Sequence, residues 1–435
     1  MQVEMRPDGA FSLRVFTNGY TSDLARVHGR EMRSFHAWNS FCDLDSAGRD
    51  MTNNTLTSAK KAKQDEFYTQ YADIQAEINA YLEYDPDVFR GKTILLPCDD
   101  PEWSNFTKFF AQNFEFFGLK KLISTSYAVE SKKIKDWEPT LFETENPYYD
   151  AEKSKTHGKI FILDRDVNAN GRIDIEDLEW QYLNGDGDFR SDEVKKLRDE
   201  ADVIVTNPPF SLFREFLAWI VEVDKKFLII GNQNAVTYKE VFPLMKSNRM
   251  WLGASIHSGD REFGIPSYYP LEAAGWRVDA QGNKFIRVKG VRWFTNLDHG
   301  HRHESLKLMT MADNIKFSRH KEVRGIQYGH YDNYDALEVP FTDAIPSDYN
   351  GVMGVPITFF DKYCPEQFEI LGMCENEDLY HLKTKIYTSA ECKAAYLEKF
   401  GKPGTYDLNA SGVIILCGLR EKVYQRILIR KKTRS

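Results

Sequence analysis

Two consecutive prolines, Pro208 and Pro209, directly follow the run Val203-Ile204-Val205-Thr206-Asn207, and they constrain this chain more than any other feature. The four β-branched residues suit a buried strand. Neither proline can donate to a sheet ladder, so the strand must end at the corner. Beyond it, Leu212, Phe213, Phe216, Leu217, Ile220 and Val221 recur at helical spacing, which predicts an amphipathic helix opened by Ser211. A strand, a rigid corner and a helix place Asn207 and Phe210 at the carboxyl edge of a sheet, where open α/β folds bind ligands.

This corner suits a narrow chemistry. An exocyclic base amine is a poor nucleophile because its lone pair is delocalised into the ring. The Asn207 amide oxygen and the Pro208 carbonyl oxygen offer two acceptors at fixed angles. Hydrogen bonds to both pull the amine nitrogen toward tetrahedral geometry and localise its lone pair for attack on a methyl sulfonium, with no strong base needed. Pro209 stiffens the turn, and Phe210 supplies a flat face for a base turned out of its stack. A blander reading has the prolines closing a strand, Asn207 capping a helix and Phe210 in the core.

Along the chain, Thr93-Ile94-Leu95-Leu96, Lys121 to Tyr127, residues 203–206 and Lys226 to Asn232 read as strands, alternating with helical stretches such as Phe106 to Phe114. Alternation of this kind argues for a mainly parallel, helix-covered sheet, an α/β fold. After residue 250 the texture changes to short aromatic and β-branched runs between turns, including residues 291–295, 355–360 and 413–416. The expected organisation is an N-terminal extension over 1–60, a catalytic domain over 61–250 and a mixed, β-rich region over 251–435. The start of the chain has no apolar signal core, and no stretch has membrane-spanning length. The six cysteines are scattered without a CxxC pair. These features point to reduced thiols in a cytoplasm, with no zinc module and no membrane.

The net charge of −8 is carried entirely by residues 143–202, an acidic insertion with 17 acidic and 9 basic side chains. Elsewhere the balance is neutral, and residues 284–324 hold 10 Lys/Arg against 4 Asp/Glu, interleaved with Trp293, Phe294 and Phe317. The tail from Arg420 adds 7 basic residues and one acid. A solvated face and a nucleic-acid surface are both open on charge alone.

Six segments together resemble the EcoRI-type adenine-specific DNA methyltransferase family. They are residues 65–70 (Asp-Glu-Phe-Tyr-Thr-Gln), 98–104 (Cys-Asp-Asp-Pro-Glu-Trp-Ser), 187–191 (Gly-Asp-Phe-Arg-Ser), 207–213 (Asn-Pro-Pro-Phe-Ser-Leu-Phe), 293–296 (Trp-Phe-Thr-Asn) and 356–359 (Pro-Ile-Thr-Phe). The resemblance covers most of the chain from about residue 51. It implies a Rossmann-like S-adenosylmethionine-dependent methyltransferase domain, a C-terminal target-recognition region and double-stranded DNA as substrate. By position, Phe67, Tyr68 and Thr69 would lie near the cofactor's methionine moiety. Pro97, Cys98, Asp99 and Asp100 would form the loop after the first strand. That loop has no glycine, so Asp99 and Asp100 are expected to hold the cofactor's amine or ribose by side chain. Asp188 and Phe189 would bracket its adenine. In the basic span, Lys284, Arg287, Lys289 and Arg292 are the candidate phosphate contacts. The expected protein is a monomer, bacterial or phage-encoded, and a cognate restriction endonuclease acting without direct contact is an open partner.

Residues 166–177 carry Asp166, Asn168, Asn170 and Asp177 at spacings of a calcium loop, with Gly171 at its sharp turn. A structural calcium ion and a plain acidic turn are both open readings. His299, His301 and His303 read as a polar loop touching phosphate. Competing functions are methylation of RNA guanine or protein glutamine, which use similar corners, and DNA binding by a decayed, non-catalytic methyltransferase fold.

Overall fold

The computed structural model describes residues 2–5, 11–14, 68–100, 104–128, 139, 141–256, 260–265, 275–416 and 418–432. The chain divides into two units, 1–57 and 58–435. In the first, β1 (Gln2–Met5) and β2 (Phe11–Arg14) form an antiparallel hairpin.

The second unit begins with β3 (Tyr68–Thr69) and the helix Tyr71–Tyr84. Then come β4 (Thr93–Leu96), the helix Asn105–Gln112, β5 (Lys121–Thr125), β6 (Lys159–Leu163), β7 (Glu179–Tyr182) and the helix Asp192–Glu200. β8 (Val203–Thr206), the helix Phe213–Val221 and β9 (Lys226–Asn232) follow, then β10 (Trp251–Leu252), β11 (Asp260–Ile265), β12 (Arg277–Val278), β13 (Lys284–Lys289) and β14 (Val291–Thr295). The C-terminal part holds β15 (Leu337–Glu338), β16 (Met353–Pro356), β17 (Phe368–Met373), the helix Ser389–Phe400, β18 (Val413–Leu416), β19 (Leu419–Lys422) and β20 (Arg426–Lys431).

The main sheet has eight strands in the order β10-β14-β9-β8-β4-β5-β6-β7. Its four central strands, β9, β8, β4 and β5, are parallel. Both faces of these strands are apolar because helices cover both. Ile94, Leu96, Val203, Val205, Leu228 and Ile230 pack with the helices Tyr71–Tyr84 and Asn105–Gln112. Leu95, Ile123, Ile204, Phe227 and Ile229 pack with the helices Asp192–Glu200 and Phe213–Val221.

The first strand, β4, lies in the middle. The chain steps from it to β5 on one side, then returns to β8 and β9 on the other. The strand order therefore reverses between β4 and β8. Such a switch point opens a crevice beyond the carboxyl ends of the strands.

Within the acidic insertion, β6 and β7 form a hairpin that extends the sheet antiparallel to β5. No domain ends at residue 250. β14 pairs with β9, and β10 with β14, so the sheet continues to Thr295. β11 pairs with β13 and also with β3, far back in the chain. The buried Glu77 carboxylate fixes the approach to β11 by accepting from the Ala254 amide at 2.8 Å and the Ser255 amide at 2.7 Å. The C-terminal sheet, ordered β15-β16-β20-β17, shares one core with the main sheet through Met353, Val355, Phe359, Ile370 and Ile429. Residues 357–362 wind as a 3-10 turn after β16 instead of prolonging it. Among the described residues, no helix is long and apolar enough to cross a membrane.

Candidate active site at the switch point

β8 ends at Thr206, fully buried, and Asn207 follows at 7% exposure. The two prolines turn the chain into a single 3-10 turn over Phe210–Leu212, closed by the Leu212 amide donating to the Pro209 carbonyl at 2.9 Å. The α-helix starts only at Phe213, and Ser211 does not cap it. Phe210 is half-buried and meets Phe263 of β11 edge-on, with ring centroids 6.4 Å apart. Asn207 and Phe210 thus stand where the prolines were expected to put them.

Beside this corner runs the loop after β4, which holds Pro97 to Asp100. Pro97 is buried, and Cys98 and Asp100 are half-buried. Asp99 is 3% exposed, and its carboxylate is taken up by protein hydroxyls. Ser104 Oγ donates to its Oδ1 at 2.6 Å, and Thr206 Oγ1 donates to its Oδ2 at 2.5 Å. The Asp99 amide donates to the Thr125 carbonyl at 3.1 Å, which ties the loop to β5 as well. Thr206, Ser104 and Asn105 were not singled out by sequence reasoning. The signals were present: Thr206 directly precedes the corner, and Ser104 is the N-cap of a phenylalanine-rich helix, accepting from the Phe106 amide at 3.1 Å.

Phe67 lies outside the described residues. Thr69 of β3 pairs with Phe263, and its carbonyl accepts from Asn105 Nδ2 at 2.8 Å. Tyr68 pairs with Gly264. The Thr69 side chain is buried, and among the described residues its hydroxyl has no hydrogen-bond partner. Buried polar groups are nearly always satisfied, which makes this hydroxyl a candidate contact for a bound ligand.

On the other side of β4, the loop after β5 receives the segment holding Asp188. The Ala128 amide donates to the Asp186 carbonyl at 2.7 Å. Gly187 adopts φ +82° and presses on the Ser126 carbonyl, where a Cβ would clash. Asp188 is held by Arg190 through a fork with distances of 2.9 and 2.6 Å. Chiefly through that fork, the guanidinium is held above its ordinary range. Phe189 is 5% exposed and packs edge-on against Phe216 and Trp219. Three of the segments carrying the resemblance, residues 98–104, 187–191 and 207–213, therefore lie along one edge of the sheet, beyond β4, β5 and β8, whereas residues 293–296 lie at the other end of β14 and residues 356–359 start at the end of β16 of the C-terminal sheet.

The basic candidates divide. Arg287 and Lys289 are exposed and Lys284 half-buried on β13, with Arg287 3.1 Å from Asp260. Arg292 is a correction. It is 2% exposed, and its guanidinium pairs with Asp361 at 2.8 Å, so it faces the interior and cannot meet phosphate. Trp293 and Phe294 are likewise core residues, leaving Phe317, 61% exposed, as the surface aromatic of that span. The basic tail is also not a solvated run, because β20 lies between β16 and β17 and Arg426 pairs with Glu338 at 2.6 Å.

His299 is not a phosphate contact either. Burial pushes its imidazole down to about 4, while its Nε2 lies 3.0 Å from the Leu252 carbonyl. For His303 burial pulls downward, but hydrogen bonds to Asp298 and Glu366 outweigh it and leave it raised. A cleft lined by Trp251, His299, Arg302 and Tyr363 lies near the Thr295 end of β14. That end adjoins the start of β9, so the cleft is on the opposite edge from the corner.

In the acidic loop, the Asn170 and Gly171 amides donate to the Asp166 carboxylate at 3.1 and 2.7 Å. The Val167 and Asn168 amides donate to Asp177 Oδ1 at 2.9 and 3.0 Å. The Asn168 amide leads the causes that hold the Asp177 carboxyl below its ordinary range. Asn168 Oδ1 accepts from the Asn170 amide at 3.0 Å. Among the described residues, no group of three or more His, Cys, Asp or Glu side chains is placed to hold a metal ion.

The chain belongs to the family described as adenine-specific methyltransferase EcoRI, whose pattern matches residues 55–432. It is 44% identical over 330 residues to the Type II methyltransferase M.EcoRI of Escherichia coli, covering 76% of this chain and 92% of that protein. It is 34% identical over 334 residues to the Type II methyltransferase M.MpnI of Mycoplasma pneumoniae, covering 76% of this chain and 89% of that protein. No solved structure matches the chain.

Proposed function

We infer that this enzyme methylates the exocyclic N6 amine of adenine in double-stranded DNA at a specific sequence, on a Rossmann-like domain. The observation that carries the reading is the Asn207–Phe210 corner at the end of β8, beside the β4 loop at the switch point. S-adenosylmethionine, when bound, supplies the electrophilic methyl group. The Thr69 hydroxyl, unpaired among the described residues, fits a polar group of that cofactor, and Tyr68 and Asp100, both half-buried, are further candidates to hold it. Asn207 Oδ1 and the Pro208 carbonyl accept from the target amine and localise its lone pair. Phe210 stacks on the adenine after it leaves the duplex. The amine gains a methyl group and releases a proton, and no base of shifted pKa is required.

β13 offers Lys284, Arg287 and Lys289 to phosphate, within a target-recognition region that spans the second half of the chain. A monomer suffices, and the mark protects DNA from an endonuclease reading the same sequence. A calcium ion in the loop of Asp166, Asn168, Asn170 and Asp177 would have a structural role only, because methyl transfer to a polarised amine requires no metal.

The test offers DNA, RNA and protein in parallel, with S-adenosylmethionine labelled at its methyl group. Label in DNA adenine alone supports the reading. Label in RNA or protein, or none, contradicts it.

A further inference from the structure

We propose that Asp99 is a positioning residue that sets the aim of Asn207, and not a ligand of the cofactor. The proposal rests on the methyltransferase reading and deepens it. Asp99 is held from every side. Its amide is bonded to β5 through the Thr125 carbonyl at 3.1 Å. Its carbonyl accepts from Ser124 Oγ and from Thr107 Oγ1. Its two carboxylate oxygens take Ser104 Oγ at 2.6 Å and Thr206 Oγ1 at 2.5 Å. At 3% exposure, a carboxylate so engaged has little left to offer a ligand. Burying a carboxylate is costly unless its oxygens are hydrogen-bonded, and a satisfied buried network rigidifies the elements it joins.

The geometry secured is that of the corner. Thr206 is the last residue of β8, and the next peptide carries Asn207. Asn207 precedes a proline, which restricts it to extended conformations. Pro208 and Pro209 have their own φ fixed. The backbone from which the Asn207 side chain projects is therefore set by the residue before it, whose hydroxyl Asp99 anchors.

The same carboxylate reaches the other side of the crevice. Ser104 caps the helix Asn105–Gln112, and Asn105 Nδ2 holds the Thr69 carbonyl at 2.8 Å. A contiguous chain thus runs Thr69, Asn105, Ser104, Asp99, Thr206, Asn207. It registers the wall with the Thr69 hydroxyl against the groups that polarise the amine. Registry between two reacting groups appears in the rate, because small misplacements cost large factors.

The experiment compares wild type, Thr206→Val, Thr206→Ser and Asp99→Asn. S-adenosylmethionine affinity is measured by calorimetry. Single-turnover adenine methylation is then measured per mole of protein able to bind the cofactor. Thr206→Val should lower the single-turnover rate roughly tenfold or more while changing cofactor Kd less than about threefold, and Thr206→Ser should restore the rate. Asp99→Asn should show the same split, and it stands in if Thr206→Val does not fold.

A full rate in Thr206→Val overturns the proposal. So does a cofactor affinity in Asp99→Asn that falls in step with the rate, which would make Asp99 a ligand after all. A merely structural role would lower the melting temperature and leave the rate per competent molecule unchanged. A wild type that labels no adenine refutes the function itself, whereas a wild type that labels adenine while Thr206→Val keeps pace refutes this inference alone.

Discussion

In the proposed mechanism Asn207 would work with lone pairs and no charge, so its contribution should appear in the transition state and not in binding. Asn207→Ala is expected to lose most of kcat while S-adenosylmethionine Kd stays near wild type, as read by calorimetry beside steady-state rates. Phe210→Ala should cost about 1–3 kcal/mol in productive DNA binding, the worth of one base–aromatic stack. Arg292 belongs to stability instead. Asp361→Ala would leave its guanidinium buried without a counter-ion, at roughly 3–5 kcal/mol in urea unfolding.

His299 carries the pH dependence at this scale. Its folded pKa lies below its ordinary 6.5, at about 4, so the unfolded chain binds the extra proton first. Its contribution to stability is full above the upper value and is lost as pH falls through that window, on the order of 3 kcal/mol in all. His299→Leu should therefore flatten the acid limb of stability measured from pH 7 downward. An unchanged limb would show that His299 does not titrate there.

At the scale of elements, what the sequence revealed depended on distance along the chain. β4, β8, β9 and β14 were legible because β-branched and apolar runs are local, and two prolines stop a strand wherever it lies. The bond from Asp99 to Thr206 spans 107 residues and leaves no local trace. Asp99 consequently resembled an open acidic ligand. Arg292 was misread although a signal existed: it sits within Val291-Arg292-Trp293-Phe294, a run too apolar for a surface strand, and all four are buried. β6 was legible in its apolar run Ile160-Phe161-Ile162-Leu163, whereas its pairing with β5 and β7 depends on distant partners. The loop between β6 and β7 closes on its own amides, so it should form without an ion. Millimolar calcium should nevertheless raise the melting temperature by mass action, and Asp166→Ala should abolish that rise while methylation persists in chelator. No shift in either protein would leave an acidic turn.

For the whole molecule, the net −8 conceals a division between an acidic sheet edge and basic surfaces elsewhere. DNA affinity should fall steeply with salt, and replacing Lys284, Arg287 and Lys289 by Gln should flatten the log–log slope by about 0.9 for each phosphate that is no longer neutralised. Cofactor affinity should not change. An unaltered slope would move the phosphate surface to the exposed residues around Phe317.

The central claim is that the corner at the end of β8 makes this chain a sequence-specific adenine methyltransferase. Its most direct test is base-resolution mapping of N6-methyladenine in unmodified DNA incubated with S-adenosylmethionine and either wild type or Asn207→Ala. The account predicts methyladenine at one recurring short sequence with wild type, and its loss in a variant that still binds the cofactor. Methylation scattered without a motif, absent from wild type, or undiminished in Asn207→Ala would contradict it.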